Sequence, residues 1–232
     1  MIEAVFFDAG QTLLRAEPSY PELAAQVYRS RGHHVDSDDI VRVSRELGSH
    51  FRDAADRGWV FSATAEDSHR FWTAFYRDQM ERLGIDDPDS VEVLYETFSD
   101  VRSYGLYDDV VEVLVHLRDE GFRLGIISNF EAWLDPLLDH LGIKHIFEVV
   151  AISGPLAVEK PDPKIFAWAV EQMGLPAEAS AHVGDQPFFD AEAAIACGLH
   201  GILLDRYGQW ADLEVTYPKI TTLRDLPSVL DR

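Results

Sequence analysis

Residues 4–14 read Ala4-Val5-Phe6-Phe7-Asp8-Ala9-Gly10-Gln11-Thr12-Leu13-Leu14, and the fold turns on them. Four apolar residues run straight into a carboxylate. A short apolar run closed by a turn signal reads as a strand buried on both faces. A charge at its end is costly unless something pairs with it. Gly10 is read as the residue that lets the backbone leave the strand sharply and approach a ligand closely. Asp8 then sits at the carboxyl end of a central strand, where open α/β sheets place their ligands. For this stretch alone, a strand-end Asp that only caps the following turn is the plainer alternative.

The first strand has no partner nearby in the chain. Residues 17–103 read as entirely helical. Pro21 suits the first turn of a helix carrying Leu23, Ala24, Val27 and Tyr28 and stopping at Gly32. Ser37 is read as the cap of a second helix, with Ile40, Val43, Leu47, Phe51, Ala54 and Ala55 on one face. Thr64 and Asp67 open a third, with Phe71, Trp72, Phe75, Met80 and Leu83 as core, ended by Gly84. Asp87-Pro88 opens a fourth, with Val91, Leu94, Tyr95 and Phe98 inward.

From residue 108 helices and strands alternate. Helices are expected at 108–120, 131–141, 163–173, 189–197 and 223–230. Strands are expected at 122–127, 146–152, 181–184 and 200–204. This rhythm implies right-handed crossovers and a parallel sheet. The first strand most naturally joins it. The expected fold is therefore α/β, a doubly wound parallel sheet built from 1–16 and 104–232, with an all-helical insertion at 17–103.

With 232 residues, 47% of them apolar, the chain is long enough for a large core plus a small second domain. No apolar run approaches the roughly 18–20 residues of a membrane span. No basic segment precedes the first strand, so no signal peptide is expected. The single cysteine, Cys197, excludes an intramolecular disulfide and reads as a packed core thiol; a cytoplasmic protein is expected. The net charge of −21 argues against nucleic acid or an anionic membrane as partner. An anionic substrate would need local positive groups or a metal, and there are only four lysines: Lys144, Lys160, Lys164 and Lys219.

Three other strands also end in polar residues. In Gly125-Ile126-Ile127-Ser128-Asn129, Ser128 is expected to leave a strand and open a helix, where its hydroxyl and the first N–H groups can bind an anion or simply cap the helix. In Val158-Glu159-Lys160-Pro161-Asp162-Pro163, two prolines freeze the loop beside Lys160. A loop lysine is usually a solvated charge, but one held rigid is a better phosphate partner. In His182-Val183-Gly184-Asp185-Gln186-Pro187-Phe188-Phe189-Asp190, two carboxylates flank a strand-to-helix turn. Mg²⁺ takes one or two carboxylates together with waters and substrate phosphate, and Asp8 with Asp185 would supply that pair. Asp190 alone could be a carboxylate stabilised at a helix N-terminus, and His182 reads as a core histidine.

The four motifs in this order, with a helical insertion after the first, resemble the haloacid dehalogenase-like hydrolase superfamily over the whole chain. The Ile127-Ser128-Asn129-Phe130, Lys160-Pro161-Asp162-Pro163 and His182-Val183-Gly184-Asp185 segments look closest to its hydrolase domain-containing protein 3 type of subgroup. The resemblance implies a Rossmann-like core with a cap domain that closes over Asp8 and selects the substrate. It implies a Mg²⁺-dependent phosphatase acting on a small phosphorylated metabolite through an aspartyl-phosphate. Asp8 would be the nucleophile. Mg²⁺ would be held by Asp8, the Gly10 carbonyl and Asp185, with Asp190 in support. Ser128 would hydrogen-bond the phosphoryl group, Asn129 would help position it, and Lys160 would neutralise negative charge. The covalent route divides one hard step into two easier ones.

One position departs from that pattern. The superfamily's phosphatases carry a second Asp two residues after the nucleophile, as general acid and base; here it is Gly10. Losing such a group typically costs ~10²–10⁴ in rate. Substrates with good leaving groups are therefore expected, with Gln11 able to position a water and His33 or His34 as candidate substitutes. The namesake 2-haloacid dehalogenases also lack that Asp, but they carry a tyrosine there and no counterpart of Asp185. A catalytically silent fold that binds a phosphorylated ligand or a partner protein is the third reading.

Overall fold

The computed structural model describes residues 1–47, 53 and 60–230. The chain divides into two compact units, one of residues 1–14 and 106–232, the other of residues 15–105.

The first unit is built on a six-stranded sheet whose pairings are all parallel. Its strands are β1 (Ala4–Phe7), β4 (Arg123–Ser128), β5 (Val149–Ile152), β6 (Ser180–Gly184), β7 (His200–Leu204) and β8 (Lys219–Ile220), in the order β5-β4-β1-β6-β7-β8. β1 lies inside the sheet, and all four of its side chains are fully buried, as a continuous apolar run requires. Ala4 and Phe6 pack with Ile165, Phe166 and Ala169 of the helix Pro163–Met173. The strand period of two turns Val5 and Phe7 to the other face, where Phe7 meets Phe147 edge-on at 6.5 Å. Gly125 of β4 is required by this packing, because a Cβ there would lie 2.6 Å from the Phe6 ring.

The remaining helices of this unit are Val110–Asp119, Leu134–His140, Ser153–Leu156, Glu192–Ala196 and Leu226–Val229. Several differ from expectation. The helix after β4 starts at Leu134 rather than 131, so Ser128 ends a strand and opens no helix. The segment expected as one helix at 189–197 opens with a π-helical turn, Pro187–Ala191. The last helix is a short 3₁₀ turn, Leu223–Asp225, running into Leu226–Val229. Cys197 is half-buried against the Phe166 cluster rather than enclosed.

The second unit is helical: α1 (Tyr20–Ser30), α2 (Ser37–Glu46), α3 (Ala65–Leu83) and α4 (Asp89–Phe98). Its core joins Ala24, Val27, Tyr28, Ile40, Val43, Phe75, Met80, Val91, Leu94 and Phe98. Gln79, fully buried, accepts from the Tyr28 hydroxyl and donates to that of Tyr20, both at 2.9 Å, so its burial leaves no orphan amide. Asp36, not Ser37, stands at the N-cap of α2. Thr64 caps α3 by accepting from the Asp67 N–H. Phe51, Ala54 and Ala55 lie outside the described residues. The chain passes between the units through a two-stranded sheet of β2 (Leu14–Ala16) and β3 (Tyr104–Leu106), which the sequence did not announce.

Candidate active site

Sheet register determines which residues meet. Phe7 pairs with Ile126 of β4 and Val183 of β6. Asp8 is one residue past that line, Ser128 is two past it at the end of β4, and Asp185 is two past it, just beyond the end of β6. Three polar side chains therefore emerge at the same edge of the sheet, its carboxyl end. The Asp8 N–H still donates to Val183 O at 2.8 Å, so the residue is anchored to the ladder.

Lys160 arrives from the loop between Ser153–Leu156 and Pro163–Met173. Its Nζ donates to Asp8 Oδ1 at 2.8 Å and to Asp190 Oδ1 at 2.6 Å, with only 2% of its side chain exposed. Ser128 Oγ donates to the same Asp8 oxygen at 3.0 Å. Asp8 Oδ2 accepts no hydrogen bond among the described residues. Asp190 Oδ1 also accepts from His182 Nε2 at 3.1 Å, and its Oδ2 accepts from the Gln186 N–H at 2.9 Å. Gly184 makes room for this carboxylate, since a Cβ at 184 would collide with it. Asp8, Asp185 and Asp190 each offer a carboxylate oxygen within 4.8 Å of the others.

Three carboxylates thus face one ammonium. Burial pushes the Asp8 carboxyl above its ordinary value, against the pull of Lys160. Burial, then Asp190 and Asp8, pushes Asp185 well above. Burial also opposes ionisation of Asp190, but Lys160 and the His182 hydrogen bond outweigh it and hold that carboxyl low. Burial disfavours charge on Lys160 too, yet Asp190 and Asp8 raise its pKa, while burial lowers that of His182. The cluster is short of positive charge, and its donors are oxygens only. Such a set suits a hard divalent cation, so the residues fit a Mg²⁺ site.

Two residues do something other than expected. Asn129 is committed to the Lys160 backbone, its Nδ2 donating to Lys160 O at 2.8 Å and its Oδ1 accepting from Lys160 N at 2.6 Å. It fixes the backbone of the lysine. Gly10 is not the residue that turns the chain sharply; the left-handed conformation belongs to Gln11, with φ 57°. A Cβ at Gly10 would have nothing within 4 Å. The Gln11 side chain is engaged, accepting from the Tyr107 hydroxyl at 2.8 Å, and His33 pairs with Asp87 at 3.2 Å.

The residues that brace the turn after β1 were not found from sequence. Arg206 binds both oxygens of Asp109 at 2.9 Å, donates to Thr12 O at 2.8 Å, and lies 4.0 Å over the Tyr107 ring. Asp109 also accepts from the Thr222 hydroxyl and the Leu223 N–H. Its partners are about a hundred residues away, and no local pattern connects them.

A family model described as haloacid dehalogenase-like hydrolase matches residues 2–198, and the chain belongs to that family of hydrolases. Glyceraldehyde 3-phosphate phosphatase of Methanopyrus kandleri is 34% identical over 225 residues, covering 92% of this chain and 88% of that protein. Haloacid dehalogenase-like hydrolase domain-containing protein 3 of Danio rerio is 32% identical over 174 residues, 72% of each chain. Among solved structures, the HAD-hydrolase YfnB of Bacillus subtilis, bound to magnesium, matches with a TM-score of 0.75 at 18% identity. That match covers 100% of this chain and 99% of the other, and it speaks to the fold. No helix of the described residues is long and apolar enough to cross a membrane.

Proposed function

We propose that the protein is a Mg²⁺-dependent phosphatase that works through phosphorylated Asp8. The observation that carries this reading is the charge arrangement: three carboxylates within 4.8 Å of one another around a single buried lysine. A dehalogenase attacking carbon has no evident use for Asp185 and Asp190.

In this reading Lys160 and Ser128 hold Asp8 Oδ1, which orients the carboxylate for in-line attack. An Asp8 oxygen forms a bond to phosphorus as the bond to the leaving oxygen breaks. Water then attacks phosphorus, the bond to Asp8 breaks, and orthophosphate departs with the carboxylate restored. Asp8, Asp185 and the Gly10 carbonyl would hold Mg²⁺, with Asp190 in support. When bound, the ion supplies charge neutralisation for an anionic nucleophile approaching an anionic phosphate. Lys160 screens the same repulsion from the protein side. Asn129 acts through Lys160 by fixing its backbone.

The related glyceraldehyde 3-phosphate phosphatase supports a small phosphorylated metabolite as substrate. Gly10 carries no side chain that could protonate a leaving oxygen, which supports a preference for good leaving groups such as acyl or aryl phosphates. The test is p-nitrophenyl phosphate against 2-chloropropionate, each with Mg²⁺ and with EDTA. Mg²⁺-dependent phosphate release is expected. EDTA-insensitive chloride release would replace this reading with dehalogenation, and neither product would leave a binding protein.

A further inference from the structure

The peptide unit between Asp185 and Gln186 is held at both ends. Its N–H donates to Asp190 Oδ2 at 2.9 Å, and its carbonyl accepts from the indole Nε1–H of Trp210, also at 2.9 Å. A planar peptide with both polar groups engaged cannot rotate without losing two hydrogen bonds. The backbone from which the Asp185 side chain leaves is thereby restrained, and the carboxylate itself accepts from Gln186 Nε2 at 2.6 Å.

Trp210 is itself fixed. Its N–H donates at 3.1 Å to Oδ2 of Asp205, a buried residue immediately after β7. Lys219, the first residue of β8, donates from Nζ to the carbonyls of Trp210, Ala211 and Leu213 at 2.8, 3.2 and 3.1 Å. Three carbonyl dipoles converging on one point repel unless a cation sits among them. The tethered ammonium is that cation, and it closes residues 205–213 into a strap. Two of the chain's four lysines thus serve this one end of the sheet, Lys160 inside the carboxylate cluster and Lys219 behind it.

We infer that Trp210 is a positioning residue for the carboxylate of Asp185, held in place by the strap that Lys219 closes. The inference rests on the reading of Asp185 as a Mg²⁺ ligand. The segment contributes no group to the chemistry; it sets how well the carboxylate is placed before the cation arrives.

Trp210→Phe keeps an aromatic side chain, smaller by the five-membered ring, and deletes the indole N–H donor. Measured by titration calorimetry on the full chain, its Mg²⁺ dissociation constant should rise about five-fold, the equivalent of one net hydrogen bond of about 1 kcal/mol. The kcat at saturating Mg²⁺ should stay within about two-fold of wild type, since the lost interaction acts on binding. Lys219→Met loosens the strap with Trp210 intact and should shift Mg²⁺ affinity in the same direction. A second arm needs no metal: in EDTA, hydrogen exchange at the Gln186 amide should quicken in both variants. Folded variants with wild-type Mg²⁺ affinity and wild-type exchange at Gln186 overturn the inference. A lowered melting temperature with unchanged affinity also overturns it, by reducing Trp210 to a packing residue. If the wild-type chain binds no Mg²⁺, the metal reading falls by itself, and the exchange arm still decides whether Trp210 holds the Asp185 turn.

Discussion

Lys160→Met removes one charge and keeps most of the buried stem. In the wild type the ammonium touches Asp8 at 2.8 Å and Asp190 at 2.6 Å, with 2% of its side chain exposed. The three carboxylates left behind have oxygens within 4.8 Å of one another. At an effective dielectric constant of about 20, each such pair repels by about 3 kcal/mol or more. The burial already spent on both partners is no longer offset. Breaking a buried pair by deleting one partner typically costs about 3–5 kcal/mol. At about 2–4 °C per kcal/mol for a chain of this size, the melting temperature should fall by about 6–20 °C in EDTA. Mg²⁺ should recover more of that loss in the variant than it adds to the wild type, because the cation supplies the missing charge. Turnover of p-nitrophenyl phosphate should fall by at least about 10²-fold, the scale for losing one preorganised electrostatic group. The assay is thermal unfolding followed by circular dichroism, with EDTA and with Mg²⁺. A variant as stable as wild type in EDTA would refute the claim that this lysine holds mutually repelling carboxylates together.

A Cβ at position 10 would meet no neighbour within 4 Å and the backbone there is not left-handed, so Gly10→Asp should fold. If the missing general acid is the bottleneck, turnover of alkyl phosphates should rise toward the ~10²–10⁴-fold that such a group supplies, with a smaller gain on p-nitrophenyl phosphate; unchanged rates on both substrates would contradict this. Within the helical unit, Asp87 accepts from Arg31, Ser90 and His33, and chiefly the Arg31 hydrogen bond holds its carboxyl below the usual range. A depressed folded-state pKa contributes stability that is present above the ordinary carboxylate value and lost as pH falls through the folded value. Asp87→Asn should therefore lower the melting temperature at pH 7, with the gap to wild type closing in acid below about pH 4; a gap independent of pH would show that charge is not the cause.

The sheet was legible because its signals are local. Ala4–Phe7 is an unbroken apolar run, and the helix Pro163–Met173 is bracketed by proline and by Gly174. Asp8, Ser128, Lys160 and Asp190 do converge, since parallel register brings strand ends to one edge whatever their separation in sequence. What was illegible depended on distant partners or on very short elements. Nothing near Asn129 announces that its amide will bond the backbone of residue 160, or that Trp210 will reach the carbonyl of residue 185. Strands of two and three residues, such as β8 and β2, carry too few positions to show a period. The turn after Ser128 differs from the helix its polar residues resemble, because Phe130 bonds Ser153 and the helix waits until Leu134.

The central claim concerns a bond between Asp8 and phosphorus. Full-length protein mixed with Mg²⁺ and p-nitrophenyl phosphate, quenched in acid within the first turnover and digested, should yield the peptide containing Asp8 with the mass of one added phosphoryl group. Asp8→Asn should yield none. A phosphoryl group on another residue, or steady phosphate release with unmodified Asp8 at every quench time and undiminished turnover in Asp8→Asn, would contradict the account.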